Sequence, residues 1–198
     1  MRLIVSGQPP DPNACARWAG AVPTSPPEGP PASVVDRHQA DVRLLPGEDR
    51  DAAFERIRGR LFAYDIFSPR LMHFAVCPSG PIAPQTVIVQ RLGIGPIRLE
   101  SAVRVIDTWD RRTEDSREAG FLYVTLRGHP EKGIASFAVR NGRGGTVTLV
   151  LEARSAPGTL IARFARPLAR RAQLVATKAA MRRLAGTEPS SEASTGDR

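Results

Sequence analysis

Apolar and polar positions alternate through most of the second half of this chain. Residues 86–92, 97–107, 120–126, 134–140 and 146–154 each read as a β-strand. Asn141-Gly142 with Gly144-Gly145 tolerates positive φ, so a hairpin turn joins the last two strands. Gly93-Ile-Gly95-Pro96 marks another turn, and the charged residues 110–118 read as a loop. Upstream, residues 40–45 alternate and stop at Pro46-Gly47, a further strand. The period then changes. Phe54, Ile57, Leu61 and Phe62 fall on one helical face, with Asp49 or Asp51 placed to cap it, and Ser68-Pro69 opens a second short helical turn. The chain closes with Leu160, Ile161, Phe164, Leu168, Ala172, Val175 and Ala179 at helical spacing. Pro167 breaks or kinks that pattern, leaving a short turn before it and a helix of roughly five turns after it. Strand, helix, a run of antiparallel strands and a long helix make an α+β order. The expected fold is one curved antiparallel β-sheet gripping a long C-terminal α-helix, with short N-terminal helices.

The ends read differently. Residues 1–36 are Pro-rich and lack apolar periodicity, so a mostly irregular arm is expected, either passive or functional, with Trp18 able to pin it to the body. Residues 37–185 are expected to form a single α+β domain of that kind, and residues 186–198 have the composition of a disordered tail.

Composition narrows the chemistry. Aromatic residues are 6% of the chain, so a core drawn from its 41% of hydrophobic residues is mainly aliphatic. The net charge of +8 rests almost wholly on arginine, since Lys132 and Lys178 are the only lysines. Such a bias also follows from a GC-rich coding sequence, which weakens any inference to nucleic acid. Cys15 and Cys77 stand far apart and the three histidines are scattered, so no metal site is expected and none of the residues suggests a cofactor. Free thiols in a reducing compartment are the expectation. No apolar run reaches transmembrane length, and the apolar start at residues 3–5 is too short for a secretory segment. The chain reads as cytoplasmic.

Candidate chemistry gathers at one strand exit. Phe121, Tyr123 and Thr125 share one face of their strand, the aromatic and hydroxyl face expected to line a cavity. The strand ends in Gly128-His129-Pro130-Glu131. His129 suits a general acid or base oriented by Glu131, or the four residues are only turn chemistry. Arg91, Arg104 and Glu152 interrupt apolar strand patterns. They lie on a wet sheet face, or they point inward as a polar patch in an apolar cavity. Val139 joins the expected lining.

The string Ala119-Gly-Phe-Leu-Tyr-Val-Thr-Leu-Arg-Gly-His-Pro-Glu-Lys-Gly133 resembles the domain of unknown function 1990 family. Val103-Arg-Val-Ile106, Glu152-Ala-Arg-Ser-Ala-Pro157, Arg166-Pro-Leu-Ala-Arg-Arg-Ala-Gln173 and Phe67-Ser-Pro-Arg70 extend the resemblance over roughly residues 40–185. It implies a Bet v 1 or START-like helix-grip fold with a hydrophobic cavity under the last helix. Against the family pattern, Val124 replaces a glycine, Ile134 and Ala135 replace two glutamates, and Ala156 replaces an arginine. These apolar departures suggest a cavity that has shed polar groups.

Two functions follow as expectations. The first is binding of an apolar, polyketide-, lipid- or terpenoid-like small molecule in an internal cavity. That reading extends to cofactor-free cyclisation, dehydration or isomerisation, with His129, Tyr123 or Glu152 moving protons. Arg91 or Arg104 would then hold an oxyanion. The alternative is an interaction module that sets the Arg-rich C-terminal helix, residues 163–183, on nucleic acid or an anionic membrane. Homodimerisation is left open.

Overall fold

The computed structural model describes residues 2–4, 12–24, 34–69, 71–94, 97–142, 144–157 and 166–186. In chain order the elements are β1 (Arg2–Ile4), α1 (Pro12–Ala19), β2 (Val34–Asp41), α2 (Arg50–Phe62), β3 (Met72–Cys77), β4 (Val87–Ile94), β5 (Ile97–Arg112), β6 (Arg117–Thr125), β7 (Glu131–Asn141), β8 (Val147–Pro157) and α3 (Arg166–Ala185). The strands form an antiparallel sheet in the order β2-β8-β7-β6-β5-β4-β3, with β1 added to the start of β5. A bulge at Ile106 shifts the β5–β6 register between Val105 and Asp107 and bends the longest strand. The curved sheet grips α3, which gives the α+β helix-grip architecture.

Two helices cover the concave face. Asp49 caps α2 by accepting the Ala52 N–H at 2.8 Å. Ala53, Phe54, Ile57 and Leu61 of α2 are buried against the sheet. Pro167 lies in the first turn of α3, where a missing N–H costs nothing, and the helix runs 20 residues from there. Ala176, Ala180, Met181 and Leu184 are its buried side chains among the described residues. An ionic clasp fixes it to the end of α2. Arg183 donates to the Asp65 carboxylate at 2.7 Å and Arg60 donates to it at 3.0 Å. Residues 158–165, the expected turn before this helix, lie outside the described residues.

Several expectations shift. The first body strand is β2 at 34–41 rather than 40–45, because its concave positions, Asp36 and His38, are polar and hide the alternation. The charged loop at 110–118 shrinks to 113–116. Its flanks form a ribbon whose charges are satisfied by α2: Asp110 pairs with Arg58 at 2.7 Å, and Arg117 pairs with Glu55 and sits over the Phe54 ring. The strand β3 was not anticipated. Ser68 opens a single turn, with Leu71 and Met72 both donating to its carbonyl, instead of a helix.

The N-terminal arm departs furthest from a passive leader. Pro12 starts α1, which lies on the convex face and buries Ala14 and Trp18 against Val87, Val89, Ala102 and Leu126. Cys15 of α1 is disulfide-bonded to Cys77 of the edge strand β3, with Cα atoms 5.7 Å apart. The expected free thiols are therefore corrected, because folding α1 onto the sheet brings two cysteines 62 positions apart into bonding distance. The cytoplasmic reading loses the support it drew from them. No helix among the described residues is long and apolar enough to cross a membrane.

Closing a loop of this length removes roughly 4 kcal/mol of unfolded-state entropy, of which natural bridges deliver about 2–4 kcal/mol. Cys15→Ser is expected to lower the unfolding free energy by that amount in urea titrations. A reductant should lower the wild type toward the variant and leave the variant unchanged.

Candidate functional site

Strand register decides which side chains meet. Phe121 pairs with Phe137 and Tyr123 with Ala135, all on the concave face. The Phe121 and Phe137 rings stack at 5.4 Å, and Tyr123 lies 5.9 Å from Phe137. Phe62 of α2 meets Phe121 edge-on at 6.4 Å. Val139 continues the same face, fully buried. The described interior is thus built on an aromatic cluster, a favourable surface for rings and hydrocarbon.

Tyr64 completes the cluster from an unusual position. The end of α2 closes as a Schellman motif: the Asp65 N–H donates to Arg60 O and the Tyr64 N–H to Leu61 O, both at 2.9 Å. The residue at this point takes a left-handed conformation and is most often glycine. Here it is a tyrosine with φ of 57°. The cost is roughly 1–2 kcal/mol. It drives the ring fully into the interior, 5.2 Å from Phe74 and 6.2 Å from Phe121. The Tyr64 hydroxyl accepts a hydrogen bond from the Gln90 side-chain amide, and Ser101 is paired with Gln90 across β4 and β5. Gln90 and Ser101 are both buried. Burial pushes the Tyr64 phenol well above its ordinary range, with nearby Tyr123 adding to it. Burial and then the Glu131 carboxylate raise Tyr123 as well. Both phenols stay protonated at physiological pH.

The other expected site residues go elsewhere. Pleat alternation turns Arg91, Arg104 and Glu152 to the convex face. Glu152 is exposed and pairs with Arg37 at 3.2 Å. Arg104 donates to the carbonyls of Ala19 and Ala21 in the arm, at 2.8 and 3.2 Å. Arg91 is buried under α1 and donates from Nε and Nη2 to Glu100 Oε2, each at 2.9 Å. Trp18 and Arg17 complete the shell of Glu100 at 3.2 and 3.3 Å. Burial works to raise the Glu100 pKa, but the bonds from Trp18, Arg91 and Arg17 outweigh it and hold the carboxyl below its ordinary value.

At the strand exit, Thr125 is committed to the backbone. Its hydroxyl accepts from the Gly133 N–H at 3.0 Å and bonds the Thr24 hydroxyl of the arm at 2.5 Å. His129 Nδ1 accepts from the Glu131 N–H at 3.1 Å, within its own turn. Burial lowers its pKa to about 4, so the ring is neutral near pH 7 and its Nδ1 is already used. The contact joins the turn after β6 to the first residue of β7. Among the described residues, no group of His, Cys, Asp or Glu could hold a metal ion.

Tyr64, Gln90 and Ser101 carry no sequence signal that singles them out. Gln90 and Arg91 are adjacent polar residues in one strand, and only the pleat separates them. On α3, Arg183 is committed to Asp65, while Arg163 and the side chains of Arg166, Arg170 and Arg171 lie outside the described residues.

A family model, the domain of unknown function DUF1990, matches residues 19–183. The chain belongs to the DUF1990 family. No curated protein matches it. Among solved structures, a hypothetical protein from Helicobacter pylori is similar at a TM-score of 0.51 and 9% identity, over 79% of this chain and 88% of that one. Ginseng major latex-like protein 151 from Panax ginseng is similar at 0.49 and 8% identity, over 79% and 98%. Norcoclaurine synthase from Thalictrum flavum is similar at 0.46 and 13% identity, over 96% and 99%. The first of these likenesses supports the fold.

Membership in the DUF1990 family sharpens the departures at Val124, Ile134, Ala135 and Ala156. Val124 pairs with Ile134 on the convex face, and Ala156 pairs with Lys132 there. Only Ala135 faces inward. The substitutions therefore say little about a cavity that lost polar groups. The string itself reports packing: a Cβ on Gly120 would stand 2.3 Å from Phe137 O and 2.8 Å from Trp109 Cζ2.

Two pH measurements follow. A group whose folded pKa is depressed lends stability above its unfolded value and loses it as pH falls through the folded one. Glu100 therefore contributes above about pH 4.5. Glu100→Gln is expected to cost about 3 kcal/mol at pH 7 by removing the buried carboxylate charge to which Arg91, Arg17 and Trp18 donate, and to lose less stability than wild type between about pH 5 and pH 3. For His129, the ring Cε1–H resonance is expected to stay constant in NMR from about pH 7.5 to about pH 5.5, where an ordinary histidine titrates.

Proposed function

We propose that this protein binds an apolar small molecule in the interior between the sheet and its two concave-side helices. The observation that supports this most is the concave face: stacked Phe121, Phe137 and Tyr123 beside buried, uncharged Tyr64, Gln90 and Ser101. A largely apolar surface with a few fixed hydrogen-bonding groups is how small-molecule sites are built. Tyr123, Phe62, Phe74, Leu92 and Ala153 are partly buried hydrophobic residues packed against this core. A lipid, polyketide or terpenoid skeleton fits this chemistry.

Where the binding extends to catalysis, Tyr123 is the group to carry it. Of the three expected proton movers it alone has its ring on the interior face, since Glu152 lies on the other face and His129 is neutral and bonded in its turn. A phenol held protonated by burial is suited to donate to a developing oxyanion in a cofactor-free isomerisation, dehydration or cyclisation.

The test is titration with the neutral fluorophore N-phenyl-1-naphthylamine. A saturable, one-to-one, blue-shifted emission is expected. Ala153→Trp, which fills the half-buried end of the concave face, should weaken it at least about tenfold while the circular dichroism and melting temperature persist. Absence of saturable binding by the folded wild type overturns the reading.

A further inference from the structure

The interior has a polarity of its own that bears on what it binds. The only ionised side chains buried among the described residues are Arg91 and Glu100, and both belong to the convex face under α1. Arg104 and Glu152 also point outward. The polar atoms buried toward the aromatic cluster are a phenol, a carboxamide and hydroxyls. Of these, the Thr125 hydroxyl is taken by Gly133 and Thr24. The Tyr64 hydroxyl and the Gln90 amide share one hydrogen bond between them, although together they offer three donor hydrogens and several lone pairs. Ser101 adds a hydroxyl beside Gln90. Tyr64 is held at this spot against its backbone preference, with φ of 57° where glycine would cost nothing. The chain spends conformational energy to keep an uncharged hydrogen-bonding group in an apolar interior.

We infer that Tyr64, Gln90 and Ser101 form a subsite for a neutral oxygen, a hydroxyl or ketone, on the apolar ligand, and that the site selects such compounds over carboxylic acids. This rests on the binding reading above. A neutral oxygen takes the spare donors and acceptors of the subsite. An ionised carboxylate leaves water and meets no buried cation there among the described residues, which costs far more than one neutral hydrogen bond returns. Size and hydrocarbon content set whether a ligand enters. The subsite sets which functional group its polar end carries.

The experiment compares 1-dodecanol, 2-dodecanone and dodecanoate as competitors of N-phenyl-1-naphthylamine at pH 8, on the full-length oxidised protein. The alcohol and the ketone are expected to displace the probe at concentrations at least about tenfold below dodecanoate. Tyr64→Phe and, separately, Gln90→Leu are expected to weaken the alcohol about three- to tenfold and dodecanoate less. The comparison of the three competitors on wild type stands without any variant, so a misfolded variant does not spoil the test. If the probe binds but dodecanoate competes as well as the alcohol, the subsite is overturned and the binding reading survives. Unchanged alcohol affinity in both folded variants overturns it too. If the probe itself does not bind, the binding reading falls and takes the subsite with it.

Discussion

Two-residue alternation along paired strands is the constraint on which everything else here depends. Register ties the parity of β6 to that of β7, β8 and β5, so no strand can choose its faces alone. Phe121 and Tyr123 go inward only because Leu122 and Val124 go outward. A slip of one residue would put the aromatic cluster on the convex face and would push Gly120, which lies under Trp109 against the β7 backbone, out of a place where only glycine fits. The same parity makes neighbours such as Gln90 and Arg91 members of different sites.

The two faces are closed by different physics. The concave side is closed by hydrophobic burial: α2 and α3 lay aliphatic and aromatic side chains on the sheet and are clipped together at Asp65 by Arg60 and Arg183. The convex side is closed by α1, a short helix that buries little beyond Ala14 and Trp18. Beside the Cys15–Cys77 bond, its hold comes from polar chemistry. Glu100 is 1% exposed and needs donors, and Arg91, Arg17 and the Trp18 indole supply them. Two of those three donors come from α1, so the carboxylate is satisfied only when the arm is in place.

Much of the body was legible in the residues. The helical face of Phe54, Ile57 and Leu61, the start of α3 at Pro167, and strands β4 to β8 all follow from period and punctuation. The rest was hidden for physical reasons. Both faces of the sheet are apolar, so hydrophobicity cannot tell inward from outward, and Arg91, Arg104 and Glu152 could not be assigned a side. Charged strands such as the ends of β5 and β6 look like loops, because their partners are on α2 and their apolar signal is absent. Around α1, a context of eight prolines in residues 1–36 masks a helix whose main anchors, a disulfide and a buried carboxylate, are tertiary. His129 drew attention by its type, while Tyr64 stayed unnoticed because its role comes from a backbone conformation.

The Cys15–Cys77 bond makes a covalent ring of the chain from α1 through β2 and α2 to the end of β3. Topology then separates integrity from continuity. A single backbone cut anywhere between these two cysteines leaves one molecule, with the arm, β2, α2 and the edge strand still joined through sulfur. A cut outside the ring divides the chain in two. The same nick thus has different consequences according to which side of Cys77 it falls, and the distinction vanishes once the bond is reduced.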